Sequence, residues 1–183
     1  LMVTFESWAA IHAAWFERVY MMVESDAQFV WRKIFIEDQL TKLGPVPNAF
    51  ELWTGPNCRV VGIVNEKRML GAGCYCNVDA SNLSAELKIL WEPRACPNRA
   101  EIRETLLGLL DGGFRSGLER IYGYVPLVGR GGKSGQAFRV WQKVLGRMTK
   151  EKLVRCVGVE RHAIRTKKRF LGRMQFEAIK NGG

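Results

Sequence analysis

A glycine-rich string is the first segment whose residue types suggest chemistry. Residues 129–134 read Gly-Arg-Gly-Gly-Lys-Ser, and glycines before Lys-Ser are typical of loops that wrap phosphates. A Walker-type P-loop needs a glycine, four spacer residues and then Gly-Lys-Ser, whereas position 127 is leucine. The spacing therefore excludes a nucleotide-hydrolysing site of this kind.

The five cysteines and two histidines do not follow a metal-binding pattern. Only Cys74 and Cys76 are close in sequence, and an i, i+2 pair on a strand points both thiols to one face. Zinc sites use Cys-x-x-Cys pairs with further Cys or His at set spacing. His12 and His162 lie far from each other and from any Ser or Cys nucleophile pattern. We expect no metal site, no catalytic histidine and reduced thiols in a cytoplasmic setting.

Positive charge is concentrated in the C-terminal third. Residues 1–129 hold 13 Lys and Arg against 15 Asp and Glu, while residues 130–173 hold 14 against 2. Such a basic block favours polyanions: nucleic acid, a phosphate-bearing cofactor or an acidic protein. Phe170 is the only aromatic residue in the densest basic cluster, residues 165–173. Stacking of aromatic side chains on single-stranded bases therefore has weak support.

Length and composition indicate one soluble domain over residues 1–183. The chain is 47% hydrophobic and 25% charged, which is ordinary for a globular protein. No apolar run reaches the roughly 18 residues that a membrane span needs, and the start lacks the pattern of a signal peptide. We expect a protein that does not enter the membrane.

Hydrophobic periodicity predicts an alternation of helices and strands after an antiparallel meander. Thr4 or Ser7 would cap the first helix, and a short strand is predicted near residues 50–53. The element order indicates an α/β fold with a mixed sheet. The predicted helices are 5–23, 27–43, 98–114 (ended by Gly112-Gly113) and 134–145 (closed by Gly146); the predicted strands are 58–64, 69–78, 83–91, 121–128 and those near 152–159 and 169–179.

Three strings in this order resemble the GNAT (Gcn5-related N-acetyltransferase) family. Residues 60–73, Val-Val-Gly-Ile-Val-Asn-Glu-Lys-Arg-Met-Leu-Gly-Ala-Gly, look like its second and third strands. Residues 85–93, Ala-Glu-Leu-Lys-Ile-Leu-Trp-Glu-Pro, resemble its fourth strand, and residues 137–146 are similar to a helix that closes in Leu-Gly. The resemblance implies a mostly antiparallel sheet with helices on both faces.

The family binds acyl-CoA where its fourth and fifth strands splay apart, with the pyrophosphate on backbone amides that start the next helix. This sequence departs from the family's glycine-rich loop there, because Pro97 donates no N–H, Arg99 is bulky and Glu101 is acidic. Arg94 and Arg99 can replace lost amide contacts by charge pairing, and Arg103 would share the face of Arg99. The residues that the resemblance places at acetyl-CoA or another acyl-CoA are Trp91, Arg94, Asn98, Arg99 and Ala100.

The resemblance also suggests catalytic residues. Glu86 stands where the family often has its general base, whereas Gln142 occupies the place of the expected acid tyrosine and cannot protonate a thiolate. Tyr122 and Tyr124, on the next strand, can substitute for that acid, and Tyr124 is our candidate. In this arrangement the loop at residues 129–134 would border the cofactor cleft as a lid or an anion contact.

Two functions follow as expectations. The first is an N-acyltransferase that moves an acyl group from acyl-CoA to an amine. The second is a catalytically degenerate GNAT-fold protein, because the string around Tyr122 and the helix after it also look like proteins encoded by tailed bacteriophages. In that case the chain would be associated with a virion, and its basic block would contact DNA or another virion protein.

Overall fold

A computed structural model of the protein describes residues 3–7, 10, 58–66, 68–92, 95, 97–126, 136–165 and 170–180. Within these ranges the chain forms strands and helices that alternate after an initial run of strands. In chain order they are β1 (Val3–Ser7), β2 (Arg59–Asn65), β3 (Arg68–Asp79), β4 (Ser84–Trp91), α1 (Arg99–Arg115), β5 (Arg120–Pro126), α2 (Gln136–Lys150), β6 (Arg155–Arg165) and β7 (Phe170–Ile179).

The described strands form one sheet in the order β1-β2-β3-β4-β5-β7-β6. Neighbouring strands pair antiparallel except β4 and β5, which are parallel and are joined by α1, since parallel strands need a crossover connection. β2, β3 and β4 form the predicted meander. The α/β class and the mixed, mostly antiparallel sheet are therefore confirmed.

The N-terminus begins differently from the prediction. Residues 3–7 form β1, paired with β2, instead of the start of a helix at residue 5. The side chain of Phe5 supplies a reason, because it reaches across to α1 and lies against Gly108. Ser7 does accept a 3.2 Å hydrogen bond from the Ala10 amide, as its predicted capping role requires. The rest of that helix, the helix predicted at 27–43 and the strand near 50–53 lie outside the described residues.

Only one of the two predicted helix ends is wrong: α1 ends at Arg115, one residue beyond the predicted 114, whereas α2 continues past Gly146 to Lys150. α1 continues past Gly112 and Gly113 to Arg115, with Ser116 as its C-cap. A Cβ on Gly113 would lie 2.5 Å from Ile121 Cδ1, so this glycine permits close packing of helix on strand. Gly146 likewise lies within α2.

Both described helices pack on the same face of the sheet. Leu106 of α1 and Met148 of α2 are fully buried in one core cluster with the strand residues Leu87, Ile121 and Phe176. Each such apolar side chain contributes about 1.5–3 kcal/mol through burial. Strand residues alternate between faces, so the intervening residues of β4, β5 and β7 point to the opposite face. None of the helices in the described ranges is long and apolar enough to cross a membrane.

Candidate active site where β4 and β5 diverge

The parallel strands β4 and β5 separate part-way along their length. Their register begins at Ser84 and Arg120 and ends at Glu86 and Tyr122, with no further pairs over the described lengths of the two strands. β4 nevertheless continues to Trp91. Alternate residues of a strand direct their N–H and C=O groups to the same side, so β4 turns backbone polar groups into the resulting gap. The splay implied by the family resemblance is therefore present.

Glu86 lies where the strands separate, on the sheet face opposite the helices. Its side chain is 14% exposed, and Lys88 Nζ lies 3.9 Å from its Oε1. Its Oε2 accepts a 2.6 Å hydrogen bond from Asn77 Nδ2. Asn77 follows a register shift in β3 and has φ of 50°, a left-handed conformation that asparagine tolerates better than most residues. The irregular strand end thus places an amide donor on a partly buried carboxylate.

Tyr122 and Tyr124 lie on the same sheet face as Glu86. Tyr122 is the register partner of Glu86, and its ring meets that of Tyr124 edge to face with centroids 6.2 Å apart. Burial, followed by the charge of Glu86, raises the pKa of Tyr122, so this phenol is protonated at neutral pH. Tyr124 lies beyond the last β4–β5 pair, and the Arg173 guanidinium sits 3.9 Å from its ring centroid. Phenols therefore flank the point where the gap opens.

A cavity of about 640 Å³ lies on this face beside Asn77 and Tyr122, and Glu86 is not among its lining residues. Two of its lining residues, Asn77 and Tyr122, are the neighbours of Glu86 described above. Asp79 also lines it, and hydrogen bonds from the Ser81 hydroxyl and from Asn82 lower the pKa of Asp79 to about 2. The complete lining is Asn77, Asp79, Asn82, Ser84, Arg120, Tyr122, Tyr124 and Gln175. The cavity is polar and of a size suited to a small ligand.

Buried Glu177 anchors one wall of this cavity. Its side chain is 1% exposed, and its Oε2 accepts a 2.8 Å hydrogen bond from Arg120 Nε while Oε1 accepts one from Arg155 Nε. Burial opposes ionisation, but the hydrogen bonds from Arg155 and Arg120 outweigh it and hold the pKa of Glu177 below its ordinary value. This ion-pair cluster fixes the side chain of Arg120 beside Tyr122, whose ring centroid lies 5.5 Å from the guanidinium.

Cysteines also lie next to Glu86. Cys76 is its register partner on β3, and the Cys76 thiol donates to the Glu86 carbonyl at 3.6 Å. The hydrogen bond between the thiols of Cys74 and Cys76 lowers the pKa of Cys76 and raises that of Cys74, so the pair shares one face as predicted. The cysteines at 58, 74, 76 and 156 are all thiols. In the described ranges, no group of three or more His, Cys, Asp and Glu is arranged to hold a metal.

The start of α1 is closed by a capping box. Asn98 Oδ1 accepts hydrogen bonds from the amides of Ala100 (2.9 Å) and Glu101 (3.0 Å), while Glu101 Oε2 accepts one from the Asn98 amide (2.9 Å). Pro97 has no N–H. The resemblance places the pyrophosphate at residues 96–101, and four of the five positions from 97 to 101 are thus unable to donate to it. Only the amide of Arg99 has no such partner among these five.

Glu101 is also held from the sheet side. Its Oε1 accepts a 2.8 Å hydrogen bond from Arg68 and a 2.7 Å one from Asn65, and its side chain is 3% exposed. Burial would raise the pKa of Glu101, but the hydrogen bonds from Asn98, Asn65 and Arg68 hold it below its ordinary value. The charge of Glu101 is therefore matched within the protein and is not directed at a ligand.

The residues predicted for the cofactor are placed apart. Trp91 lies at the end of β4, beyond the last β4–β5 pair, with its ring centroid 6.4 Å from that of Trp141 on α2. Asn98 and Ala100 bond each other at the helix start, and the exposed Arg99 follows Asn98. Arg103 does not join Arg99, because it bonds Glu151 at 2.8 Å. Arg94 and the loop at 129–134 lie outside the described residues.

An acyl-CoA in the gap would lie along the unpaired backbone of β4. Trp91 Nε1 is buried and has no hydrogen-bond partner in the described structure. No set of free amides at the start of α1 is available to bind the diphosphate, because the amides of Asn98, Ala100 and Glu101 are hydrogen-bonded within the capping box. Gln142, which stands in place of the expected acid, is exposed on α2.

Two features of the site were not predicted from the sequence. Asn98 and Glu101 follow the capping-box spacing, with an N-cap residue three positions before Glu, and this signal was readable from the sequence. Asn77 lies in a polar stretch at the end of β3, and its contact with Glu86 depends on a bulge that no periodicity shows.

No protein-family model matches the chain, and no curated protein matches its sequence significantly.

Solved structures match almost the whole chain. A spermidine N-acetyltransferase from Vibrio cholerae in complex with CoA and spermine matches with a TM-score of 0.64 and 14% identity, over 99% of this chain and 97% of that one. A chimera of a Vibrio cholerae spermidine N-acetyltransferase with hSSAT gives 0.63 and 14%, over 98% and 96%. A probable acetyltransferase of the GNAT family from Chromobacterium violaceum gives 0.57 and 16%, over 98% and 88%. The architecture described above is therefore the GNAT fold.

Proposed function

We propose that this chain, which has the GNAT fold, is an N-acyltransferase that moves an acyl group from a pantetheine thioester of the acyl-CoA type to an amine. The observation that carries the proposal is the divergence of β4 and β5 at Glu86. At this point lie the Glu86 carboxylate, which accepts a hydrogen bond from Asn77, and unpaired backbone of β4. The phenols of Tyr122 and Tyr124 lie on the neighbouring strand and line a polar cavity. The N-acetyltransferases among the matching structures support the same reaction class.

Residues of β4 and of β5 carry out different steps of the proposed transfer. A pantetheine thioester supplies an acyl carbon open to attack and a thiol as leaving group. Glu86 accepts a proton from the amine, directly or through a water, as the amine attacks. Backbone N–H groups of β4 that face the gap donate to the carbonyl oxygen as negative charge develops on it. Tyr124 donates a proton to the departing sulfur from the other strand.

The cavity beside Asn77 and Tyr122 is the proposed site of the acceptor amine. It opens on the face of Glu86, whereas the gap continues along β4 to Trp91. Amine and thioester therefore approach the divergence point from different directions. Holding two reactants at one point in this way accounts for much of the rate gain in a two-substrate transfer.

A product assay tests the proposal. The protein is incubated with acetyl-CoA or S-acetyl-pantetheine and with a panel of primary amines: polyamines, amino acids, amino sugars and a lysine peptide. Mass spectrometry is expected to find an N-acetylated product for at least one class. If neither donor gives acetylated product with any amine at millimolar concentrations, the proposed function is wrong.

The second predicted function, a degenerate GNAT-fold protein in a virion, stays a prediction. So do the cytoplasmic or virion-associated location and the contact of the basic block with nucleic acid.

A further inference from the structure

The amides at the start of α1 are already hydrogen-bonded within the capping box. This limits which thioesters the protein can bind. The part of CoA that differs from a pantetheine thioester is its nucleotide, joined through a diphosphate. In this chain the amides of Asn98, Ala100 and Glu101 already donate within the capping box, and position 97 is proline. The box is fixed further by Arg68. Binding a diphosphate on these amides would require breaking several hydrogen bonds and exposing a buried carboxylate.

A stripe of basic residues on α2 gives support that is independent of the capping box. The helix has four basic residues, Arg139, Lys143, Arg147 and Lys150, and no acidic one. Lys143, Arg147 and Lys150 follow one another at intervals of four and three residues, which places these three along one side of the helix and forms the basic stripe. Lys143, Arg147 and Lys150 are exposed, and the side chain of Arg139 lies outside the described residues. Of the three exposed residues Lys143, Arg147 and Lys150, only Arg147 has an ion-pair partner within the described structure, which is Glu151.

The basic stripe belongs to the helix that borders the gap. Trp141 of α2 meets Trp91 of β4, and the apolar side of α2 is buried through Val144, Leu145 and Met148. The stripe therefore faces outward from the same helix whose inner side closes the pantetheine portion of the site. A negatively charged protein that docked on the stripe would lie beside the helix that borders the gap. A flexible prosthetic group attached to that protein would then reach the gap.

We propose that the acyl donor is a thioester carried on the phosphopantetheine arm of an acidic carrier protein, docked on the basic stripe of α2. This inference rests on the proposed function and deepens it. Such an arm has a single phosphate, so it does not need the amides that the capping box occupies. Affinity comes instead from charge complementarity between the carrier and the stripe.

The transfer needs no reactant other than the amine and the thioester, because every bond and proton is accounted for between them and the protein. The amine nitrogen forms a C–N bond to the acyl carbon and loses one proton to Glu86. The C–S bond to the arm breaks, and the arm's sulfur takes one proton from Tyr124. Proton exchange with solvent restores Glu86 and Tyr124, so the products are the amide and the carrier's free thiol.

Binding is tested first, with the full chain and an acidic acyl carrier protein whose phosphopantetheine arm carries an acetyl thioester. Fluorescence anisotropy is expected to show binding that weakens at least tenfold between 50 and 300 mM salt. The double variant Lys143→Glu, Lys150→Glu is expected to weaken binding about tenfold or more, because it turns attraction into repulsion. Lys180→Glu, at an exposed lysine after β7, is the control and is expected to keep wild-type binding.

Duplex DNA of random sequence is the competing probe. If DNA binds with dependence on Lys143 and Lys150 while the carrier does not bind, the stripe serves nucleic acid and the proposal is overturned. Carrier binding that the double variant leaves unchanged overturns it as well.

Turnover separates this inference from the proposed function. With the acceptor found in the amine panel, the carrier-bound acetyl group is expected to transfer at least tenfold faster than acetyl-CoA at equal concentration. The double variant is expected to lower the carrier-supported rate about tenfold relative to the rate with S-acetyl-pantetheine. Transfer from pantetheine without transfer from the carrier would refute the carrier alone, whereas failure with every donor would refute both.

Asn98→Gly tests the capping box directly. Glycine is tolerated at an N-cap at little cost in stability, but it frees the amides of Ala100 and Glu101. The variant is expected to bind CoA several-fold more tightly in calorimetry while its affinity for pantetheine stays the same. An unchanged affinity for CoA would show that the box does not exclude the diphosphate.

Discussion

The side-chain amide of Asn77 donates a 2.6 Å hydrogen bond to the carboxylate of Glu86 across the β3–β4 ladder. Asn77 can do so because β3 leaves its regular register after Cys76. The contact places one carboxylate oxygen on a fixed donor at the point where β4 and β5 separate. A structural irregularity in β3 thus orients the proposed base in β4.

Removing this contact should slow the reaction. Asn77→Gly deletes the amide and keeps a residue that accepts positive φ. Because a hydrogen bond to a charged group contributes about 1.5–3 kcal/mol, kcat is expected to fall about tenfold or more, with KM for the thioester little changed. Steady-state kinetics of both parameters checks this, and an unaltered kcat would show that Asn77 does not position Glu86.

Tyr124→Phe should slow the reaction about a hundredfold, because the leaving sulfur loses its proton donor. Acetyl transfer is measured with two donors, S-acetyl-pantetheine and an acetyl thioester of a more acidic thiol. The loss is expected to shrink with the second donor, since a better leaving group needs less protonation.

Tyr122→Phe is the matched control for this experiment and is expected to have the smaller effect. Equal losses with both donors would indicate that Tyr124 binds substrate rather than donating a proton.

Adjacent glycines near the end of α1 should respond in opposite directions to alanine. A Cβ on Gly113 would lie 2.5 Å from Ile121 Cδ1 and 3.0 Å from Tyr75 Cε1, so Gly113→Ala is expected to destabilise the fold by about 1–3 kcal/mol. On Gly112 the nearest atom would be 3.7 Å away, so Gly112→Ala is expected to stabilise by about 0.5–1 kcal/mol. Urea unfolding of both variants measures the difference, and equal effects would contradict the packing described.

Acid should weaken the fold through Glu177. The pKa of Glu177 is lowered in the folded state, so its contribution to stability is complete above the unfolded value of about 4.3 and is lost as pH falls towards the folded value. Glu177→Gln is expected to cost about 2 kcal/mol at pH 7 and to flatten the decline in the free energy of unfolding below pH 5. Urea unfolding at pH 7 and pH 3.5 measures both effects.

Glu104→Gln, at an exposed carboxyl of α1, is the control and should change neither value. A variant at Glu177 that loses stability with acid as steeply as the wild-type protein would contradict the role of the ion-pair cluster with Arg120 and Arg155.

Much of the fold was readable from the sequence because periodicity reports burial. The meander β2–β4, the helix after it and the strand β5 follow from apolar spacing alone. The end of α2 was misplaced at Gly146, where a Cβ would meet nothing within 4 Å. Glycine also occurs inside helices, because there it costs only about 1 kcal/mol relative to alanine. β1 was missed since five residues are too few to separate a strand from the start of a helix.

The site was less accessible to sequence reasoning. The resemblance placed Glu86 and Tyr124 on neighbouring strands, and the parallel register brings those strands together. It gave no sign of Asn77, whose position depends on a bulge, or of the Glu177 cluster, which joins residues from β5, β6 and β7. Contacts between distant segments depend on register, and register is set by the folded sheet.

The proposed role of Glu86 is tested most directly by single-turnover transfer from S-acetyl-pantetheine to the acceptor amine, comparing the wild-type protein with Glu86→Gln and with the control Glu104→Gln. We predict that Glu86→Gln lowers the rate about a hundredfold at pH 7 and that raising the pH, which deprotonates the amine without a base, recovers part of the loss. A rate for Glu86→Gln equal to that of the wild-type protein at every pH would contradict the account.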